Sequence, residues 1–283
     1  MKIGVTFARL RPALWAETAE LCDELGYESL WLPEHLVLPV NGTGSPFAGQ
    51  DHPPVPADVP VFDVFTMLGF LAGRTSRLRL GTNVYNIGLR HPFTTARAVA
   101  TLDVMSGGRV ELGVGASWLA AEWEAVGLDF ASRGARVDEA IGICRRLWTE
   151  SVVEHHGTHF DFDPVMFEPK PIQQPVPVSV GGDSPPALRR AALLGDGWLP
   201  MNTSLEQLPA ALATIAKLRA DAGRTDPWTT TFMGQITSAD DLAKAADAGV
   251  DRLVVSPWRR SAEAADGLRA LAEAHLPSPL EAS

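Results

Sequence analysis

The sequence predicts a parallel (β/α)8 barrel, and three observations carry that prediction. Apolar periodicity switches repeatedly between short β-branched runs and longer helix-period segments, as βαβ units require. Eight strand-like runs can be marked, most followed by one helix, and a chain of 283 residues is the length such a barrel uses as a single unit. Hydrophobic residues make up 46% of the chain and charged residues 20%, so it can bury a large core and is not disordered.

In chain order the predicted strands are Ile3–Ala8, Ser29–Pro33, Leu78–Val84, Val110–Gly115, Val176–Val180, Trp198–Met201, Thr229–Gly234 and Arg252–Ser256. Several are nearly continuous apolar runs, the pattern of strands covered on both faces. The predicted helices are Ala13–Leu25, Asp63–Ala72, Pro92–Met105, Ala135–Trp148, Pro186–Leu194, Leu205–Ala222, Ala239–Ala248 and Ala262–Ala274. Gly26, Gly195, Gly223 and Gly249 follow four of them as C-terminal stop residues. An open doubly wound sheet is the rival architecture, since periodicity does not report closure. The whole chain, 1–283, is expected to be one domain with insertion loops at about 36–62 and 149–175. The first follows the C-terminal end of a strand and is expected to cover a pocket. The second contains VVEHHGTHFDFDP, a hairpin turning at Gly157–Thr158.

Net charge is −10, which disfavours nucleic acid and anionic lipid as partners. No run approaches the roughly 18 apolar residues of a membrane span. Cys22 and Cys144 are too few for a disulfide framework and suit a reducing cytoplasm.

Barrel chemistry belongs at the C-terminal ends of strands. Lysines stand only at 2, 170, 217 and 244, away from those ends, so a Schiff-base nucleophile is excluded. GxSxG and Walker motifs are missing as well. His155, His156, His159, Asp161 and Asp163 carry metal-ligating atoms, but strand alternation turns His155 and His156 to opposite faces, so no metal site is expected. The strand ends do carry Glu34 and His35, Asn83 and Val84, Ser117 and Trp118, and the run Gly181-Gly182-Asp183-Ser184-Pro185-Pro186. That last run closes a strand and opens a helix, a place where N–H groups and a dipole end can hold a phosphate, or where Asp183 or Ser184 can simply cap the helix. Trp31, Trp118, Trp198 and Trp258 could surround a flat ring system, or belong to the core.

Six segments then resemble the bacterial luciferase-like flavin monooxygenase superfamily: SLWLPEH (29–35), LRLGTNVYNIGLRHP (78–92), ATLDVMSGGRVELGVGASW (100–118), RGARVDEAI (133–141), FEPKPIQQPVPVSVGG (167–182) and AALLGDGWLP (191–200). The chain looks most like the coenzyme F420-dependent oxidoreductase branch. The resemblance implies a cofactor at the strand C-termini and a homodimer. It implies catalytic roles for Glu34 and His35, and cofactor binding by Asn83, Val84, Ser117, Gly181, Gly182, Asp183 and Ser184. It also implies a non-prolyl cis peptide at Asn83-Val84, placed against the ring. Arg133 and Arg136 are expected to pair with Asp138 or Glu139, and Arg189, Arg190, Arg259 and Arg260 to attract the acidic tail of F420. Trp118 stands where sugar-phosphate dehydrogenases of the branch carry glutamate, so a small apolar or aromatic substrate is expected. The implied activity is hydride transfer between F420 and that substrate. The alternatives are an FMN-dependent monooxygenase and, from other classes, a cofactor-binding protein without turnover or a metal hydrolase using the 155–163 histidines.

Overall fold

A computed structural model describes residues 1–40, 43–45, 55–236 and 238–276. Eight parallel strands close into a barrel: β1 (Lys2–Thr6), β2 (Ser29–Leu32), β3 (Arg79–Thr82), β4 (Val110–Val114), β7 (Val178–Gly181), β8 (Gly197–Leu199), β9 (Thr229–Met233) and β10 (Arg252–Val255), with β10 pairing back onto β1. β5 (Val152–His156) and β6 (Asp161–Met166) form a separate antiparallel hairpin. The helices are α1 (Trp15–Leu25), α2 (Val64–Ala72), α3 (Pro92–Ser106), α4 (Ala120–Ala125), α5 (Arg133–Thr149), α6 (Pro185–Leu194), α7 (Leu208–Asp221), α8 (Ala239–Asp247) and α9 (Ala264–His275). The strands are apolar because each is buried between barrel interior and helices; β2 and β10 are buried at every residue. Closure leaves no open edge, which decides against the doubly wound sheet.

Two features of the interior explain sequence choices. Trp31 is fully buried inside the barrel with Leu199 and Val254, and its Nε1 donates to Ser29 Oγ at 2.9 Å. Room for the indole comes from Gly81, where a Cβ would stand 2.5 Å from the ring, and from Gly4. At the N-terminal end Arg252, 1% exposed, donates to Glu28 at 2.6 and 2.7 Å and to Glu111 at 3.1 Å. Arg79 also donates to Glu111, at 2.6 Å. Burial works against the Arg252 charge, but its two carboxylate partners outweigh it and hold the guanidinium above its ordinary value.

Three local differences from the sequence reading have physical causes. β3 stops at Thr82 instead of Val84 because the chain leaves the ladder at the cis Asn83–Val84 peptide and rejoins β4 only at Tyr85, opposite Val114. The helix α4 fills a stretch that carries no prediction. Gly195 ends α6 in extended conformation, φ −90, whereas Gly26, Gly223 and Gly249 take the left-handed conformation expected of them. Cys22 and Cys144 are buried free thiols whose pKa values burial pushes up. Among the described residues no helix is long and apolar enough to cross a membrane.

Candidate active site

A cavity of about 450 Å³ opens at the C-terminal ends of the strands. It is lined by Glu34 and His35 after β2, Asn83 and Val84 after β3, Ser117 and Trp118 after β4, and Gly181, Gly182, Asp183 and Ser184 after β7. The nine residues singled out in the sequence therefore meet in one place, and what each does there follows from its contacts.

The Asn83–Val84 bulge presses its valine between two glycines. A Cβ on Gly115 would stand 2.6 Å from one Val84 methyl, and one on Gly181 2.8 Å from the other, so both positions need hydrogen for the bulge to seat. Glu34 lies directly beneath. Its carboxylate, 1% exposed, accepts from Arg90 Nη2 at 2.6 Å and from the Asn86 backbone N–H at 2.9 Å. Arg90 in turn lies over the Tyr85 ring, 4.5 Å from its centroid. Burial works against the Arg90 charge, yet Glu34 and Tyr85 hold it above its usual value, and burial pushes the Tyr85 phenol up to about 12. Glu34 is thus an anchor for the segment that follows the cis peptide.

His35 is held differently. Its Nδ1 stands 3.2 Å from Oε2 of Glu122, a carboxylate with 0% side-chain exposure, and its ring meets Trp118 edge-on at 5.6 Å. Glu122 Oε1 also accepts from the backbone N–H groups of Leu36 at 2.5 Å and Val37 at 3.3 Å. Glu122 already accepts from two backbone N–H groups, and the same acceptor role toward His35 assigns the ring proton to Nδ1 and leaves Nε2 bare. Among the described residues Nε2 has no hydrogen-bond partner. Ser117 Oγ accepts from Leu119 N at 3.2 Å and stands 3.5 Å from Glu122, so it braces the same group; its φ of 61 turns the chain out of β4. Glu122 and Arg90 carry no prediction in the sequence. The signal for Glu122 was an acid set among Leu119 and Trp123 at helical spacing, on a stripe that would otherwise be apolar.

The loop after β7 resolves its two readings. Ser184 caps α6 by accepting from Ala187 N at 3.4 Å, while Asp183 accepts from Met201 N, Asn202 N and Thr203 Oγ1 at 2.7–3.0 Å and ties down the loop after β8. Trp198, a core residue and not a cage wall, donates Nε1 to Gly182 O at 2.8 Å. Pro185 and Pro186 remove two N–H groups from the first turn, and Gly182 N donates to Leu199 O. Among the described residues the N–H groups of Asp183 and Ser184 have no backbone partner, and both residues line the cavity.

Other expectations are corrected. Arg133 does not pair with Asp138 or Glu139: its guanidinium stacks on Phe130, Nη1 donates to Phe130 O at 3.0 Å, and the side chain lines the cavity without an ion pair among the described residues. Arg136 donates to Gly88 O and stacks on Phe160. Asp138 pairs instead with Arg190, which lines the cavity already neutralised, and Glu139 takes His155 at 2.9 Å. Arg189 is exposed and outside the lining. Arg259 lines a separate hollow beyond β9 and β10, and Arg260 pairs with Glu263, so neither lines this cavity. Trp31 and Trp258 also lie outside the lining. His156 pairs with Asp161 at 2.6 Å, and among the described residues no three His, Cys, Asp or Glu side chains gather into a metal-binding group. The segment 36–62 lies partly outside the described residues; its described portion stands over the cavity mouth through Ser45 and over a neighbouring hollow through residues 55–62.

A closed parallel barrel carries a pocket at its strand C-termini, with a half-buried histidine–carboxylate pair and a cis bulge beside it. The chain belongs to the luciferase-like monooxygenase family, whose profile matches residues 8–279. An uncharacterised protein of Mycobacterium tuberculosis (strain H37Rv) is 31% identical over 239 residues, covering 84% of this chain and 82% of that one. The phthiodiolone/phenolphthiodiolone dimycocerosates ketoreductase of Mycobacterium bovis (strain BCG) is 30% identical over 263 residues, 88% of this chain and 68% of its own. Among solved structures, an F420-dependent secondary alcohol dehydrogenase holding an F420–acetone adduct superposes with a TM-score of 0.77 at 17% identity, covering 98% and 99% of the two chains. The monooxygenase RslO1 from Streptomyces bottropensis gives 0.74 at 23% identity over the same shares. These solved structures, among them an F420-dependent dehydrogenase and a monooxygenase, share this chain's fold.

Proposed function

We propose that this protein is an oxidoreductase that binds coenzyme F420 in the strand-end cavity and moves hydride between it and a small apolar or aromatic carbonyl substrate. One observation carries the reading: a single cavity gathers the Asn83–Val84 bulge, the His35–Glu122 pair and the Gly181–Ser184 loop. When bound, F420 supplies the hydride chemistry. Val84, seated between Gly115 and Gly181, offers a flat face to a ring. The Asp183 and Ser184 N–H groups and the Ser184 hydroxyl hold a phosphate.

The choice of F420 over FMN rests on charge. With Pro185 and Pro186 lacking N–H groups and Arg190 neutralised by Asp138, the loop suits the single charge of a phosphodiester better than the double charge of a terminal phosphate. Arg133, which lines the cavity and enters no ion pair among the described residues, would attract an acidic tail. His35 gives or takes the proton at the substrate oxygen through Nε2. Glu34, tied to Arg90 and Asn86, acts by positioning the bulge. The name of the M. bovis ketoreductase, which describes carbonyl reduction, is in keeping with this chemistry.

The test is a fluorescence titration with F420 and, separately, FMN, followed by anaerobic single-turnover mixing. F420 should bind more tightly, and turnover should proceed without dioxygen. Tighter FMN binding together with substrate-dependent dioxygen consumption would replace this reading by a flavin monooxygenase.

A further inference from the structure

A second hollow adjoins the coenzyme cavity and shares its wall. It has a volume of about 150 Å³ and meets the larger cavity along Pro33, Glu34 and His35. Its other walls are apolar: Phe7 and Trp15 from the β1 side, Leu38 after β2, and Val64 and Met67 of α2. Trp15 donates Nε1 to Leu10 O at 2.9 Å, so the indole shows the hollow no unsatisfied polar atom. Phe62 stands edge-on to Trp15 at 5.8 Å. It and Val55, Val59 and Val61 are 37–42% exposed, an apolar rim facing water at the entrance. Glu34 is saturated by Arg90 and Asn86, so among the described residues His35 Nε2 is the uncommitted polar side-chain atom on the shared wall.

The geometry points to this hollow as the binding site for the apolar group of the substrate, whose carbonyl then lies at His35; the assignment rests on the proposed coenzyme site. Size sets the class. A volume of ~150 Å³ in an apolar cavity admits one six-membered ring. The substrate class is therefore ketones and aldehydes bearing a single ring or an alkyl group of about that bulk. Branched or fused groups exceed the hollow. Among the described residues a charged group has no counter-charge there, because Glu34 is already paired and His35 is held by Glu122.

The experiment uses the full-length protein loaded with F420. Binding of three probes, acetone, acetophenone and 4-phenylacetophenone, is read by saturation-transfer NMR in the wild type, in Leu38→Trp and in Met67→Trp, two independent ways of filling the hollow. F420 affinity and thermal midpoint are measured for each. Acetophenone should bind the wild type at least tenfold more tightly than acetone and than 4-phenylacetophenone, and should lose at least tenfold in both variants while F420 affinity stays within twofold. If F420 binds all three proteins and acetophenone binds them equally, the hollow is not its site and the inference is overturned. If wild type binds no F420, the coenzyme reading fails by itself. Loss of acetophenone from both variants would then still support the hollow as an apolar site, and retention would overturn that too.

Discussion

Glu122→Gln separates a carboxylate that merely fills space from one that sets the chemistry of His35. The two side chains have nearly the same shape, so the Leu36 and Val37 N–H groups keep an oxygen acceptor. The atom facing His35 Nδ1, now 3.2 Å from Oε2, becomes an amide nitrogen that donates. Two donors cannot share that contact, so the imidazole must reverse its tautomer, carrying its proton on Nε2 and accepting at Nδ1. The lost bond is charge-assisted and buried, worth about 1.5–3 kcal/mol, a factor of roughly 10 to 150 in any equilibrium or rate that depends on it. Two measurements read it. Long-range ¹H–¹⁵N correlation on histidine-labelled protein should show His35 as the Nδ1–H tautomer in the wild type and the Nε2–H tautomer in the variant. Hydride transfer from 1-phenylethanol to oxidised F420, in which Nε2 must take the hydroxyl proton as the hydride leaves, should slow 10- to 150-fold in a stopped-flow instrument while F420 affinity stays within twofold. Glu122→Ala should cost more stability than Glu122→Gln in urea, since it removes the acceptor of the Leu36 and Val37 N–H groups as well. An unchanged His35 tautomer in Glu122→Gln, with unchanged rate, would refute the positioning argument outright.

Three further predictions test the frame that holds the site. Gly81→Ala drives a methyl to within 2.5 Å of the buried Trp31 ring and should destabilise the fold by about 1–3 kcal/mol, read as a lower urea midpoint at constant slope. Arg252→Met removes the guanidinium that Glu28 and Glu111 share at the barrel floor, leaving Glu111 to Arg79 and Glu28 to Lys2, and should cost about 3–5 kcal/mol at neutral pH; Arg252→Met combined with Glu28→Gln should recover part of that loss. Burial works against the Glu139 charge, but bonds from His155 and the Phe160 and His159 N–H groups hold its carboxyl below the ordinary value. Its contribution is therefore present above the unfolded carboxylate value and lost as pH falls through the lower folded one, so exchange of the His159 and Phe160 amides should accelerate in acid, and Glu139→Gln should abolish that acid dependence.

Periodicity and stop residues were enough to read eight parallel strands and the helices that follow them, because β-branched runs and C-terminal glycines act locally along the chain. Motif order added which strand ends meet. Glu34, His35, Asn83, Val84, Ser117 and residues 181–184 do line one cavity, since a closed barrel brings every strand's C-terminal end to the same mouth. Partner choice lay beyond such reasoning. That Glu34 answers Arg90, that Glu122 holds His35, that Asp138 takes Arg190 rather than Arg133 or Arg136, and that Trp198 fastens Gly182 are pairings between residues 16 to 87 positions apart. Such pairings depend on distances across the mouth of the barrel, and those exist only after its strands have closed.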